Sequence, residues 1–330
     1  MKVLITGGAG YLGSLLSTFL IEKGMHIVVY DKLLYGGEGL LSLLSHPRFQ
    51  LVVGDIRDTP QLQKATEAVD AIVHLAALVG EEACLVSPAA TAAINEYATR
   101  QLVTLALKSG CKRLIFSSTC SNYGLLDSDT IATEDSVLKP LSLYARAKIA
   151  GEQSVMQVTS TQLATCIVRF GTLCGLSPRM RFNLLVNNMA RSAALGRKIS
   201  IFTPDAWRPF LHIRDAVEVI YQCLTAPSTH IAHQIFNVVG ENYQKRQLAQ
   251  LVTKHCPHTQ IVIKKDTVDA RDYRVSGSRI AKKLNFYPKH TIEEAFTEIV
   301  HAVKSGVLVD PFRAVYEALP DIKQLTTTEL

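Results

Sequence analysis

The first residues of the chain contain a glycine-rich turn, Thr6-Gly7-Gly8-Ala9-Gly10-Tyr11-Leu12-Gly13, and this stretch indicates the fold. An apolar run at 2–6 precedes the turn, and apolar residues at helical spacing follow it over 11–23. The turn fits both G-x-x-G-x-x-G and G-x-G-x-x-G between a predicted strand and a predicted helix. Glycines there let the backbone approach a pyrophosphate, and the helix N-terminus offers N–H groups. We therefore predict a dinucleotide site at Gly7, Gly10, Tyr11 and Leu12.

Strand and helix signals continue to alternate after this turn. Further apolar strand runs lie at 26–30, 49–53, 71–75, 113–117 and 166–170, and long helical patterns lie at 89–109 and 143–158. Such alternation predicts an α/β fold of the Rossmann type, a doubly wound parallel sheet covered on both faces. The alternation weakens after Phe170. We expect residues 1–170 to form the cofactor domain and 171–330 a smaller C-terminal α/β substrate-binding region, with some segments returning to the first domain.

Composition excludes several functional classes. The 330 residues carry 35 Lys plus Arg and 29 Asp plus Glu, a net charge of +6, which is too small a surplus for a dedicated nucleic-acid binder. Seven cysteines without a C-x-x-C pair argue against a disulfide framework, and the histidines lack metal-ligand spacing. The apolar start is interrupted by glycines, and no uninterrupted run is long enough to span a membrane. We expect a cytoplasmic protein with no metal, nucleic-acid or membrane partner.

The adenosine half of the predicted site depends on acidic residues at strand ends. Asp31 ends the second predicted strand, near the spacing at which a carboxylate binds the adenine ribose. A carboxylate there repels a 2′-phosphate and favours NAD over NADP, although the adjacent Lys32 could soften that preference. Asp55 and Ile56 follow the third strand, where a carboxylate could accept hydrogen bonds from adenine. For Asp31 and Asp55, an ordinary turn or cap residue is the alternative interpretation.

The fourth strand ends in the small residues Leu75, Ala76 and Ala77, which would let the chain pass close to the cofactor. The alternative interpretation is that these are helix-forming residues at the edge of a loop, with no contact to a cofactor.

A tyrosine and a lysine four residues apart suggest the catalytic group. Tyr144 and Lys148 form Y-x-x-x-K inside a predicted helix, and residues four apart lie on one helix face. An ammonium near a phenol lowers the phenol pKa, which would make Tyr144 a general base for an alcohol. Ser117 to Ser121 run off the fifth strand, where a hydroxyl could orient a substrate oxygen. We place Ser117 beside the cofactor, and Cys120 and Ser121 beside the substrate. The alternative interpretations are a turn residue that satisfies the backbone for Ser117 and a buried small side chain for Cys120.

Together these motifs resemble the extended short-chain dehydrogenase/reductase superfamily, and within it the NAD-dependent epimerase/dehydratase group of the UDP-galactose 4-epimerase type. The resemblance covers nearly the whole chain through TGGAGYLG at 6–13, GDI at 54–56, HLAAL at 74–78, FSSTCSNYG at 116–124 and PLSLYARAK at 140–148. It implies a catalytic set of Thr119, Tyr144 and Lys148. It also adds Asn95 to the cofactor contacts and implies NAD as cofactor.

The resemblance implies a nucleotide-sugar substrate, held in part by arginines. Arg208 and Arg271 match positions that bind the substrate pyrophosphate, with a surface ion pair as the alternative interpretation. Arg179 and Arg181 add cations near the expected diphosphate. Thr172 replaces the asparagine that the family carries after the sixth strand, so the usual amide contact is missing there.

The resemblance and its departures lead us to expect an NAD-dependent nucleotide-sugar epimerase. Dehydratases of the group carry Asp-Glu directly after the catalytic threonine, where this chain has Cys120 and Ser121. The alternative is an NAD(P)-dependent nucleotide-sugar 4-ketoreductase or dehydrogenase. A more remote one is a non-catalytic relative that senses a nucleotide or binds RNA. The resemblance also implies a homodimer, formed through the helices predicted at 89–109 and 143–158.

Overall fold

The computed structural model describes residues 1–127, 129–264, 271–319, 321 and 324–325. The strands in this part of the chain are β1 (Lys2–Thr6), β2 (His26–Asp31), β3 (Phe49–Val53), β4 (Ala71–His74), β5 (Arg113–Thr119), β6 (Ile131–Ala132), β7 (Ala164–Phe170), β8 (Thr172–Cys174), β9 (Ile199–Phe202), β10 (Trp207–His212), β11 (Gln234–Val238), β12 (Glu241–Gln244), β13 (Ile261–Lys264) and β14 (Arg274–Val275).

The α-helices of the same residues are α1 (Tyr11–Glu22), α2 (Thr59–Thr66), α3 (Glu81–Val86), α4 (Pro88–Thr91), α5 (Ala98–Lys108), α6 (Leu143–Met156), α7 (Leu185–Ala194), α8 (Ile213–Thr225), α9 (Ser228–Ile231), α10 (Lys245–His255), α11 (Ser278–Leu284) and α12 (Ile292–Lys304). A π-helical segment, Ala92–Tyr97, joins α4 to α5.

A seven-stranded parallel sheet forms the centre of the molecule, in the order β11-β7-β5-β4-β1-β2-β3. Its strands are buried on both faces: Val3 and Ile5 pack into one apolar cluster, and Leu4 between them packs into another. The chain reverses its direction of travel across the sheet between β1 and β4. Ligands of such sheets bind at the carboxyl ends of the strands near this switch point.

The second half of the chain builds the other side of the cleft. A three-stranded sheet, β12-β10-β8, and a two-stranded sheet, β13-β9, stand apart from the central sheet, and α7 packs against α12. One strand of this half, β11, pairs in parallel with β7 and forms an edge of the central sheet. The predicted doubly wound α/β architecture is therefore confirmed.

Two predicted elements differ from the structure. The single helix predicted at 89–109 is divided into α4, the π-helical segment and α5. The strand predicted at 113–117 extends to Thr119 as β5, because Ser117, Ser118 and Thr119 pair with β7.

In the part of the chain that the structure describes, no helix has the length and apolar character needed to cross a membrane.

Candidate active site

A cleft of about 780 Å³ lies at the carboxyl ends of the central strands. It brings together all but two of the residues predicted for the site: Gly7, Gly10, Tyr11, Leu12, Asp31, Lys32, Asp55, Ile56, Leu75, Ala76, Ala77, Ser117, Thr119, Ser121, Tyr144, Lys148, Thr172, Arg179, Arg181, Arg208 and Arg271. The two exceptions are Asn95 and Cys120. The described residues hold no group of three or more His, Cys, Asp or Glu side chains that could bind a metal.

The glycine-rich turn is packed so tightly that two of its glycines are required by the backbone. Gly7 has φ +75°, and a Cβ there would lie 2.6 Å from the Ala76 backbone nitrogen. A Cβ on Gly13 would lie 2.4 Å from the Gly7 carbonyl oxygen. The turn thus presses α1 against the ends of β1 and β4.

The N-terminus of α1 is suited to an anionic ligand. Gly10 is the N-cap, and no side chain caps the helix. The backbone N–H groups at the start of α1 therefore face the cleft without a side-chain acceptor, which fits a pyrophosphate. The residues present thus fit a dinucleotide.

Asp31 lies at the end of β2 with its carboxylate held by the backbone. Oδ2 accepts the Ala9 N–H at 2.9 Å, and Oδ1 accepts the Leu33 N–H at 2.8 Å. Burial raises the Asp31 pKa, while these two hydrogen bonds and the charge of Arg179 oppose the rise. The carboxylate is thereby fixed beside the glycine-rich turn, where a ribose of a dinucleotide would lie.

Asp55 forms the most strongly paired carboxylate of the cleft. Arg57 donates to it from Nη2 at 2.6 Å and from Nε at 2.9 Å, and Lys32 donates from Nζ at 2.9 Å. Burial alone would raise the Asp55 pKa, but these bonds outweigh burial and hold the pKa at about 2. Arg57 was not predicted from the sequence, and its only signal is its place two residues after Asp55.

Asn95 and Cys120 lie behind the cleft wall rather than in it. Asn95 is 2% exposed, and its amide bridges the backbone N–H of Leu78 at 2.8 Å and the Leu78 carbonyl at 2.9 Å. It therefore shapes the loop after β4 from the π-helical segment. Cys120 is 1% exposed, donates to the Arg169 carbonyl at 3.3 Å and has its pKa raised by burial. The predictions that Asn95 contacts the cofactor and Cys120 the substrate are not supported by this placement.

Helix α6 places Tyr144 and Lys148 in the cleft. Ser142 caps the helix by accepting the Ala145 N–H at 3.0 Å, and Glu81 accepts the N–H of Tyr144 at 3.4 Å. Lys148 is 3% exposed and donates from Nζ to the Ser117 carbonyl at 2.9 Å. This bond ties α6 to the end of β5, next to Thr119.

Burial is the largest influence on the pKa values of both Tyr144 and Lys148. Burial is the largest effect on the Tyr144 pKa and raises it, and Arg181 is the charged group that lowers it most. Burial also lowers the Lys148 pKa to about 8. The physical reason is that both groups are desolvated, which penalises phenolate and ammonium alike.

A buried ion pair lies behind the cleft, between β7 and α6. Arg169 on β7 binds Glu152 on α6 through Nε at 2.8 Å and Nη2 at 2.6 Å, and both side chains are at least 95% buried. Glu152 also accepts hydrogen bonds from Ser118 and Asn122. The network joins α6, which carries Tyr144, to β5 and β7.

The far end of the cleft is cationic and aromatic. Arg271 donates to the Ser121 hydroxyl oxygen at 3.3 Å, and the Tyr273 hydroxyl donates to the same oxygen at 3.3 Å. The Arg208 guanidinium lies 5.6 Å from the centre of the Tyr273 ring and donates to the Trp207 carbonyl. Lys245, which the sequence analysis missed, also lines this end. Its only sequence signal is its position at the start of a helix.

The two arginines of the 177–181 segment serve different halves of the cleft. Arg179 lies over the Tyr35 ring at 4.7 Å and near Asp31, in the cofactor half. Arg181 donates from Nη2 to the Val79 carbonyl at 3.0 Å and from Nε to the Asn183 side-chain oxygen at 2.9 Å. Both line the cleft together with Thr172 at the start of β8. The prediction of Arg179 as a substrate contact therefore remains untested, and its neighbours belong to the predicted cofactor site.

Solved structures with the same fold include two proteins crystallised with NAD. A UDP-glucuronic acid 4-epimerase from Bacillus cereus, in complex with UDP-glucuronic acid and NAD, is 24% identical and superposes with a TM-score of 0.82 over 92% of this chain and 99% of that one. DesIV, a dTDP-glucose 4,6-dehydratase from Streptomyces venezuelae, is 24% identical, with a TM-score of 0.83 over 94% and 99%. These likenesses establish the fold.

Sequence comparison identifies the family. A UDP-glucose 4-epimerase of Corynebacterium glutamicum is 27% identical over 93% of this chain and 97% of its own length. One of Rhizobium meliloti is 31% identical over 66% of this chain and 70% of its own length. The model of the NAD-dependent epimerase/dehydratase family matches residues 3–239. That match spans more than half of the sequence, and the chain belongs to the NAD-dependent epimerase/dehydratase family.

Proposed function

We propose that this chain is an NAD-dependent nucleotide-sugar epimerase. The observation that carries the proposal is that Thr119, Tyr144 and Lys148 line one cleft with the glycine-rich turn and the arginines Arg208 and Arg271. Family membership and the UDP-glucose 4-epimerase relatives support the same reaction class. Residues 1–170 supply the cofactor and catalytic side chains in this proposal, and residues 171–330 supply most substrate contacts.

The chain's own residues would hold the cofactor along the carboxyl edge of the sheet. The uncapped start of α1 at Gly10, Tyr11 and Leu12 suits the pyrophosphate, and the Asp31 carboxylate suits the adenine ribose. Asp55 and Ile56 border the adenosine end, and Leu75 to Ala77 approach from β4. Lys148, anchored on the Ser117 carbonyl, lies where it can bind the nicotinamide ribose.

Proton transfer in the proposed reaction belongs to Tyr144. Thr119 at the end of β5 offers its hydroxyl to the reacting sugar oxygen, and Tyr144 takes the proton of that sugar hydroxyl at its phenolic oxygen. Bound NAD supplies reversible hydride acceptance, which lets a sugar alcohol become a ketone and be reduced again on either face. Tyr144 then returns the proton to the sugar oxygen. Arg208 and Arg271 would retain the diphosphate while the ketone turns over.

Epimerisation is favoured over dehydration by the chemistry beside Thr119. Elimination of water requires an acid and a base besides the hydride step. Cys120 faces the core, and the Ser121 hydroxyl is held by Arg271 and Tyr273. The nearby Glu81 carboxylate accepts two backbone N–H groups of α6. Epimerisation needs none of these groups to act as an acid.

The second candidate, a 4-ketoreductase or dehydrogenase, releases its cofactor in each turn. Lys32 and Arg57 favour it, since cations in the adenosine half suit a phosphorylated cofactor. The first test is to denature the purified protein and measure the nicotinamide cofactor released. About one NAD per chain, with sugar-nucleotide epimerisation in the absence of added cofactor, supports the epimerase. Cofactor-free protein that consumes NADH or NADPH with a keto-sugar would replace the epimerase by a reductase.

We also propose that the chain is a cytoplasmic homodimer. All seven cysteines are free and buried, which suits a reducing compartment. Exposed apolar side chains lie within the helices predicted to pair, including Tyr97 at 55% and Leu107 at 40% exposure. Light scattering at micromolar concentration tests the dimer, and Tyr97→Glu should shift the mass to that of a monomer.

A further inference from the structure

The first turn of α6 carries Tyr144, so the direction of this turn determines where the phenol lies in the cleft. The first N–H groups of an α-helix have no acceptor within the helix itself. Ser142, which precedes α6, accepts one of them, from Ala145 at 3.0 Å. The N–H groups of Leu143 and Tyr144 are left for acceptors outside the helix.

Glu81 accepts both of these groups. Its Oε1 accepts the Leu143 N–H and its Oε2 accepts the Tyr144 N–H, each at 3.4 Å. A carboxylate has two acceptor oxygens, so one side chain serves both donors, and its negative charge lies at the positive end of the α6 dipole. Glu81 begins α3 and is 62 residues from Leu143 in the sequence. The contact therefore joins two separate elements of the fold.

The loop that leads into Glu81 is itself fixed. Asn95 donates to the Leu78 carbonyl at 2.9 Å and accepts the Leu78 N–H at 2.8 Å. Arg181 donates to the carbonyl of the next residue, Val79, at 3.0 Å. Because two other segments of the chain hold this loop, Glu81 extends from an anchored position.

The same loop begins at the end of β4, where Leu75 to Ala77 approach the proposed cofactor. Glu81 thus connects this wall of the cleft to the helix that carries Tyr144. Hydride and proton transfer require the sugar hydroxyl, the phenolic oxygen and the cofactor to lie in one reactive arrangement. A small displacement of α6 from the loop would disturb that arrangement without removing any group that binds a ligand.

We propose that Glu81 is a positioning residue of the reaction, which holds the first turn of α6 against the loop after β4 and so sets the place of Tyr144 relative to the cofactor. Glu81 acts through the backbone of α6 and takes no proton from the substrate in this role. The inference rests on the proposed function in one respect, namely that Tyr144 transfers the proton.

The experiment compares Glu81→Ala and Glu81→Gln with wild type, all carrying their bound cofactor. Glu22→Ala is the matched control, because Glu22 is an exposed glutamate at the end of α1 and does not line the cleft. Amide hydrogen exchange over residues 142–146 is followed by mass spectrometry. The kcat and KM for a sugar nucleotide, the NAD released on denaturation and the urea midpoint are measured on the same proteins.

Glu81→Ala removes both acceptors, so exchange over residues 142–146 should become severalfold faster. The kcat should fall about 10- to 100-fold, because a displacement of about 1 Å can cost a reaction on the order of a hundredfold in rate. The KM and the NAD per chain should stay within about twofold of wild type, since the binding groups are intact. Glu81→Gln keeps one acceptor oxygen and should give an intermediate kcat, which decides the question if Glu81→Ala does not fold. Glu22→Ala should match wild type in every measurement.

Unchanged exchange in Glu81→Ala would overturn the proposal, because the contact would then not hold α6 in solution. Faster exchange with an unchanged kcat would overturn it as well. A loss of activity matched by equal losses of bound NAD and of the urea midpoint would show that Glu81 only stabilises the fold. If wild type epimerises no sugar nucleotide, the proposed reaction is rejected, and the kcat ratio of the same variants in the NADH- or NADPH-dependent reduction of a keto-sugar decides the role of Glu81.

Discussion

Asp55 brings opposite charges together at the end of the cleft where we propose that adenosine binds. Its carboxylate binds Arg57 and Lys32, and the Asp55 side chain is 4% exposed while its partners are 16% and 15% exposed. Burial opposes ionisation, yet the paired cations hold the pKa at about 2, below the 3.8 of a free aspartate. A carboxylate whose pKa is lowered by folding stabilises the native state above the unfolded pKa and loses that contribution as pH falls through the folded value.

We expect Asp55→Asn to lower the free energy of unfolding by about 2 kcal/mol at pH 7, because the substitution leaves two partly buried cations without their counter-charge. The difference from wild type should shrink between about pH 4 and pH 2, since the wild-type carboxylate becomes protonated there. Urea denaturation at a series of pH values measures this. Asp127→Asn, at an exposed position, is the control. An equal loss at pH 2 and pH 7 would contradict the ion-pair explanation.

The sequence pattern predicted which residues lie in the cleft better than it predicted the directions of their neighbours' side chains. Tyr144, Lys148 and Thr119 line the cleft because spacing within a helix and position at a strand end determine where they lie. Cys120 is adjacent to Thr119 in sequence but points into the core with Tyr123 and Tyr273. After β5 ends, neighbouring side chains point in different directions. The sequence has no periodicity there that would predict which side chain faces the cleft. Arg57 and Glu81 were missed because single charges in loops carry no pattern.

At the element scale, the turn between β1 and α1 contains two glycines with different constraints. A Cβ on Gly13 would meet the Gly7 carbonyl oxygen at 2.4 Å and the Gly8 Cα at 2.6 Å, both on the backbone. A Cβ on Gly10 would meet only the Gly7 oxygen, at 3.2 Å, and Gly10 has φ −76°, which alanine readily adopts. Gly13 is needed for packing, whereas Gly10 leaves space that the proposed pyrophosphate would use.

We expect Gly13→Ala to cost about 3 kcal/mol in the free energy of unfolding, at the upper end for overpacking, because the obstructing atoms belong to the backbone. Gly10→Ala should change stability by less than about 1 kcal/mol but reduce bound NAD severalfold, because its methyl group intrudes on the pyrophosphate. Urea denaturation and the NAD released on denaturation measure the two effects, and each variant is the control for the other. If Gly10→Ala retained as much NAD as wild type, the pyrophosphate would not bind against Gly10.

Long elements were predictable and short ones were not. The long predicted strands and helices carry clear periodicity, and each is present in the structure with ends shifted by a few residues, although the helix predicted at 89–109 is divided into three segments. The π-helical segment Ala92–Tyr97 was not foreseen, because one extra residue in a helical turn leaves the surrounding pattern nearly intact. Within this segment the Asn95 side chain binds the backbone of the loop at Leu78. The two-residue strands β6 and β14 form only by pairing with each other, although they lie far apart in the sequence. Neither has a local sequence pattern that predicts a strand.

At the scale of the whole molecule, the two halves of the chain are interleaved. The alternation of the first half predicted six parallel strands, and the seventh, β11, comes from the second half. The apolar residues of β11 are like those of other short strands and do not indicate which sheet it joins. Its position follows from the edge of β7, with which it pairs. The division at residue 170 therefore stays a prediction about which residues contact which ligand.

A segment near the C-terminal end returns to the part of the cleft that we propose holds the cofactor. Residues 311–319, which we call the C-terminal strap, lie against the loop after β2 and the segment after β8. Arg179 donates to the Val315 carbonyl at 2.6 Å, and the Tyr35 hydroxyl donates to the Ala318 carbonyl at 3.1 Å. Tyr316 contacts the Phe182 ring edge-on at 5.8 Å. Glu317 and Ala318 line the cleft, so the strap forms part of the wall around the proposed cofactor.

We expect Tyr316→Ala to release NAD faster, because the variant loses the aromatic contact that fastens the strap to Phe182, worth about 1 kcal/mol beyond its buried area. NAD retained per chain after gel filtration should fall to less than about half of the wild-type value, a change of the size that such an energy allows. With NAD added to saturation, kcat should stay within about twofold of wild type, since Tyr316 itself does not line the cleft. Tyr287→Ala, at a 62% exposed position, is the matched control. Equal NAD retention in the two variants would show that the strap does not govern cofactor release, and a lowered kcat at saturating NAD would show that it acts on the catalytic geometry instead.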